Sequence, residues 1–405
     1  VISQSDLSLR IADLAVSAVV ASYVLIWFVR WLIKRKSPIT SFVKVDQLFL
    51  AFQLVLVLTY LLNIHRFESA DLIVSLGYQL RLQAYLMIYW IFRSNSAQID
   101  PRTYLRYFLL STVVVALVGF LHLVSFCVFR LMSNYGWYPH LGRLLSTFYD
   151  PNFVAAFIGV GLIVALNSIL FEGSNKYYWL IAILLLTALY FTYSRGGIIS
   201  TAIPAVLVGF KKNWKAGVII AAVFTLIMFA PGRLGGRFSD LITSTGVGKS
   251  GDSTSVLHSA DDTGNQRIIS WYRGLAVIKS SPLIGVGYNN FGSASVRLGV
   301  RDKNEAATGA AQASDSSLLN IWATTGVVGL GLFLVLTFKI LLSTVIIGRE
   351  KLLSTNQDLW RFSVGMSFIL LGVDSLFINS LLYPQLLIFW LIFAALVVSP
   401  ELKQS

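Results

Sequence analysis

Pro231-Gly-Arg-Leu-Gly-Gly-Arg237 opens a polar stretch that runs to Ser314 and separates two apolar parts of the chain. Basic and acidic residues are interleaved along this stretch, whereas long apolar runs make up most of the sequence on either side of it. Charged side chains inside a bilayer are costly and therefore rare. The stretch therefore predicts a large loop outside the membrane, and the apolar runs predict segments that cross it.

The composition supports a membrane protein. Of the 405 residues, 56% are hydrophobic and 13% are charged, and the mean hydropathy is +0.72. A soluble domain carries about twice that share of charged residues. We predict an all-α polytopic membrane protein with about eleven transmembrane helices of about 20 residues each. The predicted spans are 11–33, 43–64, 71–92, 107–129, 152–171, 177–194, 198–210, 216–231, 316–347, 362–382 and 384–399.

Two predicted spans have unusual lengths. The seventh, 198–210, is short and shares a hairpin with the sixth through Ser194-Arg-Gly-Gly197, so it is tilted, broken or continued by that turn. The ninth, 316–347, is longer than a bilayer needs, and we expect part of it to project into solvent. The chain begins at Val1 without Met. We therefore expect a twelfth span upstream of it.

Basic residues in the short loops predict the orientation. They follow the first, third, seventh and ninth spans, which places all four groups on one side, and this side is cytoplasmic by the positive-inside rule. The net charge of +13 has the same explanation, so we predict no nucleic-acid partner. We divide the chain into an N-terminal transmembrane bundle (1–231), a large outer loop with short amphipathic helices (232–315) and C-terminal transmembrane helices (316–405).

Cysteine and histidine usage predicts neither disulfides nor a metal site. The single cysteine, Cys127, excludes a disulfide framework. The four histidines lack the spacing of metal ligands. No nucleotide-binding loop and no Ser-His-Asp order is recognisable.

The turn Tyr193-Ser-Arg-Gly-Gly197 is the first candidate site. Arg195 is predicted at the outer end of a span, beside Gly196 and Gly197, which let a ligand approach the backbone closely. An arginine in this position can clamp a phosphate through two parallel hydrogen bonds. A tight turn with an arginine that reaches to the membrane interface explains the same residues equally well.

A predicted amphipathic helix at the membrane surface supplies the second candidate site. Arg267 is placed at its first turn, where backbone N–H groups point at any anion, and Arg273 follows on the same helix. The predicted apolar face consists of Ile268, Trp271, Leu275 and Ile278. Pro282 ends the helix, and a glycine-rich segment with Tyr288 follows. Charges that are merely solvated on an interfacial helix are the alternative.

Several ionisable residues near span ends or inside spans are further candidates. Asp315 is predicted at a helix start, where it acts either as the N-cap or as the base that accepts a proton from a sugar hydroxyl. Asp150, which precedes Pro151, has the pattern of a helix cap. Arg81 and Asp374 are predicted inside spans, where ionisable residues are costly and usually functional. They either pair with each other or contact substrate.

Three blocks of sequence resemble the O-antigen ligase/polymerase superfamily of bacterial inner-membrane proteins. They are Tyr193–Gly197, Arg267–Phe291 and Asp315–Leu330, with weaker support from Asp150–Ala155. The resemblance implies a GT-C-like, metal-independent membrane glycosyltransferase without a cofactor. Its substrate would be an undecaprenyl-diphosphate-linked oligosaccharide in the surrounding membrane lipid, and its site would face the periplasm.

The resemblance also implies roles for individual residues. Arg195 and Arg267 match the arginines expected to hold the donor's diphosphate, and Asp315 stands where ligases of the superfamily carry a histidine. We therefore expect a polymerase of lipid-linked repeat units, with a chain-length regulator protein as a further partner. An O-antigen ligase that transfers glycan to lipid A-core and a lipid-linked oligosaccharide transporter are the alternatives. Tyr193 and Tyr288 are expected to stack on sugar rings.

Overall fold

The residues that the computed structural model describes form helices joined by turns, with no strand among them, and this confirms the predicted all-α class. Those residues are 11–34, 42–125, 140, 142–148, 150–173, 175–230, 234, 262–302, 313–345 and 356–399. The helices are α1 (Ile11–Lys34), α2 (Lys44–Asn63), α3 (Ser69–Ser94), α4 (Pro101–Val124), α5 (Pro151–Asn167), α6 (Lys176–Phe191), α7 (Arg195–Lys212), α8 (Trp214–Phe229), α9 (Asp262–Ser280), α10 (Phe291–Arg297), α11 (Ser317–Val345), α12 (Asn356–Asp374) and α13 (Pro384–Val397).

Several helices have the length and hydropathy of membrane spans. Five described segments are long and apolar enough to cross a bilayer: Ala12–Val29, Lys44–Arg66, Pro101–Val124, Pro151–Glu172 and Ser317–Thr344. Helices α6, α8 and α13 are shorter and equally apolar. Many large apolar side chains on these helices are exposed, which suits lipid contact. The protein is therefore a membrane protein, and the count of eleven spans stays a prediction.

The described part of the chain forms two compact units that interleave in sequence. The first unit contains the described residues of 1–101, 269–346 and 381–405. The second unit contains the described residues of 102–268 and 347–380. The division into 1–231, 232–315 and 316–405 follows the predicted membrane topology and stays a prediction. Parts of the large loop and its opening (231–233, 235–261 and 303–312) lie outside the described residues, while α9 and α10 are described.

In the first unit, α2 packs on α11, and α3 packs on α1 and α13. A buried charge pair joins α2 to α3: Arg93 Nε lies 3.2 Å from Asp46 Oδ1, and the Asp46 side chain is fully buried. Tyr89 Oη donates to the same Asp46 oxygen at 2.6 Å, and Val43 N donates to Oδ2 at 2.9 Å. These hydrogen bonds satisfy the buried charge, as a low-dielectric interior requires.

A break at Gly326 divides α11 into two segments. Gly326 has φ 68° and ψ −174°, a conformation that is costly for any residue with a side chain. The segment after α9 packs into the gap, where Val286 N and Gly287 N donate to the carbonyls of Ala323 and Thr324 at 2.9 Å each. Val327 N donates to Pro282 O at 2.9 Å. The long ninth span is thus a broken helix whose freed backbone groups are satisfied by the Pro282–Phe291 motif.

In α9, the buried side differs from the predicted apolar face. The side that packs on the protein consists of Ser270, Gly274, Val277 and Ile278. Ile268 and Leu275 are 62% and 45% exposed. The small residues Ser270 and Gly274 allow this side of the helix to pack closely against its neighbours. A prediction based on large apolar residues does not detect such a side. Only Ile278 of the predicted face is buried.

The second unit is built around α5, which is buried along almost its whole length. It packs on α6, α7 and α12, and small residues set these contacts. A Cβ added at Gly159 would lie 2.3 Å from Thr201 Oγ1 on α7, and one at Gly161 would lie 2.3 Å from Thr112 Oγ1 on α4. Close backbone approach through glycine is the usual way in which membrane helices associate.

Candidate functional site

The turn between α6 and α7 forms a helix cap. Tyr193 has φ 48° and reverses the chain direction. Ser194 is the N-cap of α7, and its Oγ accepts a hydrogen bond from Gly197 N at 3.2 Å. Arg195, Gly196 and Gly197 therefore form the first turn of a helix rather than a loop. Of the three outcomes expected for the seventh span, the structure shows continuation: α7 runs from Arg195 to Lys212.

Arg195 places a buried positive charge at the N-terminus of α7. Its side chain is 7% exposed. The N-terminal turn of a helix carries a positive potential, and a cation here is unfavourable for the helix alone. A bound anion would interact favourably with both the guanidinium and the N–H groups. This arrangement suits a phosphate better than it suits helix stability.

The two glycines after Arg195 have different surroundings. A Cβ at Gly197 would lie 2.4 Å from the Cβ of Ala155 on α5, so helix packing excludes any side chain at 197. A Cβ at Gly196 would lie 3.7 Å from Phe377 Cβ and 3.9 Å from Arg267 Nη1, which are ordinary contact distances. Gly196 is buried, but a methyl group would fit there, in van der Waals contact with the Arg267 guanidinium.

Arg267 reaches the first turn of α7 from α9. Because α9 begins at Asp262, Arg267 lies in its second turn, and the expectation that it occupies the first turn is wrong. The field of a helix terminus falls off within one turn, so the N–H groups at the start of α9 contribute little to anion binding at Arg267. Its guanidinium instead approaches Gly196 and thereby joins Arg195 at the start of α7.

Two carboxylates of the second unit accompany these arginines. Asp374, at the end of α12, is 1% exposed, and Ser200 Oγ donates to its Oδ1 at 3.2 Å. Arg267 and Asp150 both lie within electrostatic range of Asp374. Asp150 is the N-cap of α5, where it accepts from Asn152 N at 2.7 Å, and its predicted capping role is confirmed. The cluster thus combines fixed cations with nearby carboxylates.

Arg143 and Asn152 hold the turn in place, and sequence reasoning missed both. Arg143 is 7% exposed and donates from Nε to Thr192 O at 2.8 Å. Asn152 Oδ1 accepts from Ser194 Oγ at 2.8 Å and from Arg143 Nη2 at 3.4 Å. Asn152 belongs to the Asp150-Pro-Asn152 motif, whose pattern predicts a helix cap. Its hydrogen bond with Ser194 joins residues that are 42 positions apart, so no local sequence pattern predicts this contact.

Asp315 lies in the first unit, one residue before the cap of α11. The capping contact belongs to Ser316, whose Oγ accepts from Leu319 N at 3.4 Å. The prediction that Asp315 is the N-cap is therefore wrong. Its own backbone N–H donates to Ser270 Oγ on α9 at 2.9 Å, which fixes its position beside that helix. Arg273 on α9 donates from Nε to Val300 O at 3.0 Å.

Arg81 and Tyr288 also lie in the first unit. Arg81 Nε lies 2.8 Å from Asp13 Oδ1, so its carboxylate partner is Asp13 rather than the expected Asp374. Its guanidinium also lies 5.8 Å from the centroid of the Tyr78 ring. Burial raises the pKa of Tyr288 to about 12. Ser75 Oγ holds the Tyr288 backbone carbonyl at 2.8 Å.

Histidine, cysteine and carboxylate side chains form no group of three with metal-site geometry among the described residues. The independence of the reaction from a metal stays a prediction.

The family comparison covers the part of the chain that contains the two arginines and Asp315. A protein-family model, Wzy_C, described as O-antigen ligase, matches residues 180–334. This range extends from within α6 into the part of α11 that follows the break at Gly326. No curated protein matches the chain.

Proposed function

We propose, on the premise that the chain belongs to the O-antigen ligase/polymerase superfamily, that it polymerises undecaprenyl-diphosphate-linked oligosaccharide repeats at the periplasmic face of the bacterial inner membrane. The observation that carries this proposal is the approach of the Arg267 guanidinium to Gly196, at the helix end where Arg195 is buried. Two fixed arginines and a helix N-terminus provide the positive charge and the hydrogen-bond donors that bind a diphosphate.

The reaction exchanges one bond to the anomeric carbon for another. A hydroxyl oxygen of the incoming repeat bonds to the anomeric carbon of the growing chain, and the bond from that carbon to the diphosphate oxygen breaks. Negative charge develops on the departing diphosphate, and Arg195 and Arg267 stabilise it without having to reorganise. In this proposal the diphosphate lies at the N-terminus of α7, beside Gly196 and the two guanidinium groups. The hydroxyl proton passes to a carboxylate.

Asp315 is the proposed acceptor of that proton. It stands where ligases of the superfamily carry histidine, and this difference favours the polymerase. Asp374 and Asp150 are the reserve candidates, and their place in the same unit as the two arginines supports them. Asparagine at each position keeps the shape and removes the proton acceptor, so the three variants identify the base: its replacement lowers the rate by about 100-fold or more.

Tyr193, Arg81, Arg273 and Tyr288 are proposed to contact the substrate. The first lies at the turn before Arg195, and the other three lie in the first unit. In this proposal Tyr193 and Tyr288 stack on sugar rings. Arg81 and Arg273 add positive charge for the lipid-linked donor.

The test uses the purified full-length protein in detergent, with a single lipid-linked repeat unit as the only substrate. A ladder of multiples on a gel supports a polymerase, because donor and acceptor are then the same molecule. Transfer that occurs only after lipid A-core is added identifies a ligase. Absence of product from either substrate, beside an active reference polymerase, favours the transporter.

Arginine variants test the diphosphate contact itself. Arg195→Lys and Arg267→Lys keep the charge and remove the bidentate hydrogen bonds, and each is expected to lower the yield of product by about 100-fold. Arg297→Lys changes an exposed arginine of α10 and is the matched control, with product as in the wild type. Normal product from both Arg195→Lys and Arg267→Lys contradicts this mechanism.

A further inference from the structure

Two arginine–aspartate ion pairs of the first unit share one design. Both arginines lie on α3, twelve residues apart, which corresponds to about 18 Å along the helix. Asp13 of α1 pairs with Arg81. Asp46 of α2 pairs with Arg93. A tyrosine of α3 donates a hydrogen bond to each aspartate, so the two pairs differ mainly in what surrounds the arginine.

The pair of Asp46 and Arg93 is closed. The two side chains are 0% and 2% exposed, respectively. Arg93 Nε donates to Asp46 Oδ1 at 3.2 Å and to Oδ2 at 3.3 Å, and Arg93 Nη1 donates to Ser399 Oγ at 3.4 Å. Tyr89 Oη donates to Asp46 Oδ1. Protein groups thus surround both charges, which is what a purely structural buried pair requires.

The pair of Asp13 and Arg81 is open on the arginine side. The Asp13 side chain is 3% exposed, whereas the Arg81 side chain is 15% exposed. Asp13 Oδ1 lies 2.8 Å from Arg81 Nε and accepts from Tyr85 Oη at 2.8 Å. Two donors of α3 thus fix one carboxylate oxygen of α1. The carboxylate is enclosed by protein, and the accessible part of the pair belongs to the arginine.

The contact at Nε fixes the orientation of the Arg81 guanidinium. This group is planar and its donors have fixed directions, so a partner at Nε sets the plane and leaves the end with the two Nη groups pointing away from Asp13. Arg81 lies twelve residues after Ser69, the start of α3, about 18 Å along the helix. A long cationic side chain without a partner at such a depth extends toward the membrane interface. Asp13 prevents this movement.

Two tyrosines accompany the guanidinium of Arg81. Its Cζ atom lies 5.8 Å from the centroid of the Tyr78 ring, and Tyr288 lies within its electrostatic range. Aromatic rings with a polar tip and an arginine fork suit a ligand that carries both sugar rings and phosphate groups. The surroundings of the open pair therefore match a lipid-linked glycan.

We propose that Asp13 is a positioning residue that holds the Arg81 guanidinium toward the lipid-linked donor, whereas Asp46 serves the fold alone. This inference rests on the proposed function, in which Arg81 contacts that donor. Asp13 acts through Arg81, since it sets the plane of the guanidinium from the enclosed side of the pair. Tyr85 holds the carboxylate in place through its hydrogen bond to the same oxygen.

The experiment measures the Kd of the full-length protein in detergent for a single lipid-linked repeat unit. Asp13→Asn and Arg81→Gln are each expected to raise this Kd about tenfold. The double variant is expected to bind as Arg81→Gln does, because Asp13 acts through Arg81. A wild-type Kd for Asp13→Asn overturns the proposal, and so do losses that add in the double variant. Wild-type protein that binds the repeat without forming a ladder counts against polymerisation alone, because binding does not require the reaction.

Tyrosine variants make the same comparison with all charges in place, so that misfolding after loss of a buried charge does not decide the result. Tyr85→Phe removes one hydrogen bond to Asp13, and Tyr89→Phe removes the equivalent bond to Asp46. Tyr85→Phe is expected to raise the Kd about threefold. Tyr89→Phe is expected to lower the thermal unfolding temperature and to keep the wild-type Kd. Equal Kd values for the two variants identify both pairs as structural and overturn the proposal.

Discussion

Gly196 and Gly197 are neighbours in the sequence and are glycines for different reasons. A methyl group at 197 meets Ala155 at 2.4 Å, whereas one at 196 meets its neighbours at 3.7 and 3.9 Å. The protein's own packing therefore explains Gly197. Packing does not exclude a methyl group at 196, and the proposed approach of substrate to this turn would account for its glycine.

A pair of alanine variants tests this distinction. Gly197→Ala is expected to destabilise the protein by about 1–3 kcal/mol through overpacking. Gly196→Ala is expected to keep or slightly raise stability, because alanine favours a helix over glycine by about 1 kcal/mol, and to lower glycan transfer by about tenfold. Thermal unfolding in detergent and the gel assay measure both effects. A fully active Gly196→Ala protein contradicts close approach of substrate at this turn.

At the scale of the element, the break in α11 decides the shape of the region after α9. Gly326 adopts φ 68°, and a Cβ there would lie 2.1 Å from Leu283 O. Gly285, at φ 74°, faces the break from the other side, where a Cβ would lie 2.4 Å from the Thr324 carbonyl carbon. Each glycine permits the other segment's backbone to approach, and hydrogen bonds between the segments follow from that approach.

Alanine at Gly326 is therefore expected to be far more damaging than alanine elsewhere in α11. A backbone at φ 68° and ψ −174° is essentially restricted to glycine and costs any other residue about 1–3 kcal/mol, and the clash with Leu283 O adds to it. Gly331→Ala is the control in the same helix, because nothing lies within 4 Å of its added Cβ, and it is expected to unfold at or above the wild-type temperature. Similar unfolding temperatures for the two variants would argue against the broken helix.

For the whole molecule, the charge pattern predicts which ends of the helices face the cytoplasm. Lys215 lies in the first turn of α8, on the predicted cytoplasmic side, and Lys279 lies at the end of α9, on the predicted periplasmic side. Both side chains are exposed, so a cysteine at either position is accessible to a thiol reagent.

Single-cysteine labelling measures this orientation. In a Cys127→Ser background, Lys279→Cys is expected to react with a membrane-impermeant maleimide in intact spheroplasts. Lys215→Cys is expected to react only after the membrane is permeabilised. The reverse pattern would invert the topology and place the arginine cluster on the cytoplasmic side.

The sequence by itself determined the fold class and the membrane environment, and its motifs predicted the likeness to the family whose model matches residues 180–334. Each of these depends on composition or on short blocks of neighbouring residues: the apolar runs, the capping pattern of Asp150 and Pro151, and the motif Tyr193–Gly197. Local patterns are readable because helix formation and membrane partition act on residues that lie close together in the chain.

Only the tertiary structure decided which residues meet. In the structure Arg81 forms an ion pair with Asp13, and the Arg267 guanidinium lies near Gly196. Asn152 accepts a hydrogen bond from Ser194, and the segment after α9 donates hydrogen bonds to the carbonyls at the break in α11. These contacts join positions that are tens of residues apart, and their energies come from packing and from the satisfaction of buried polar groups. No periodicity along the chain encodes such partners, so the reasons for Gly196 and Gly197 became distinct only in three dimensions.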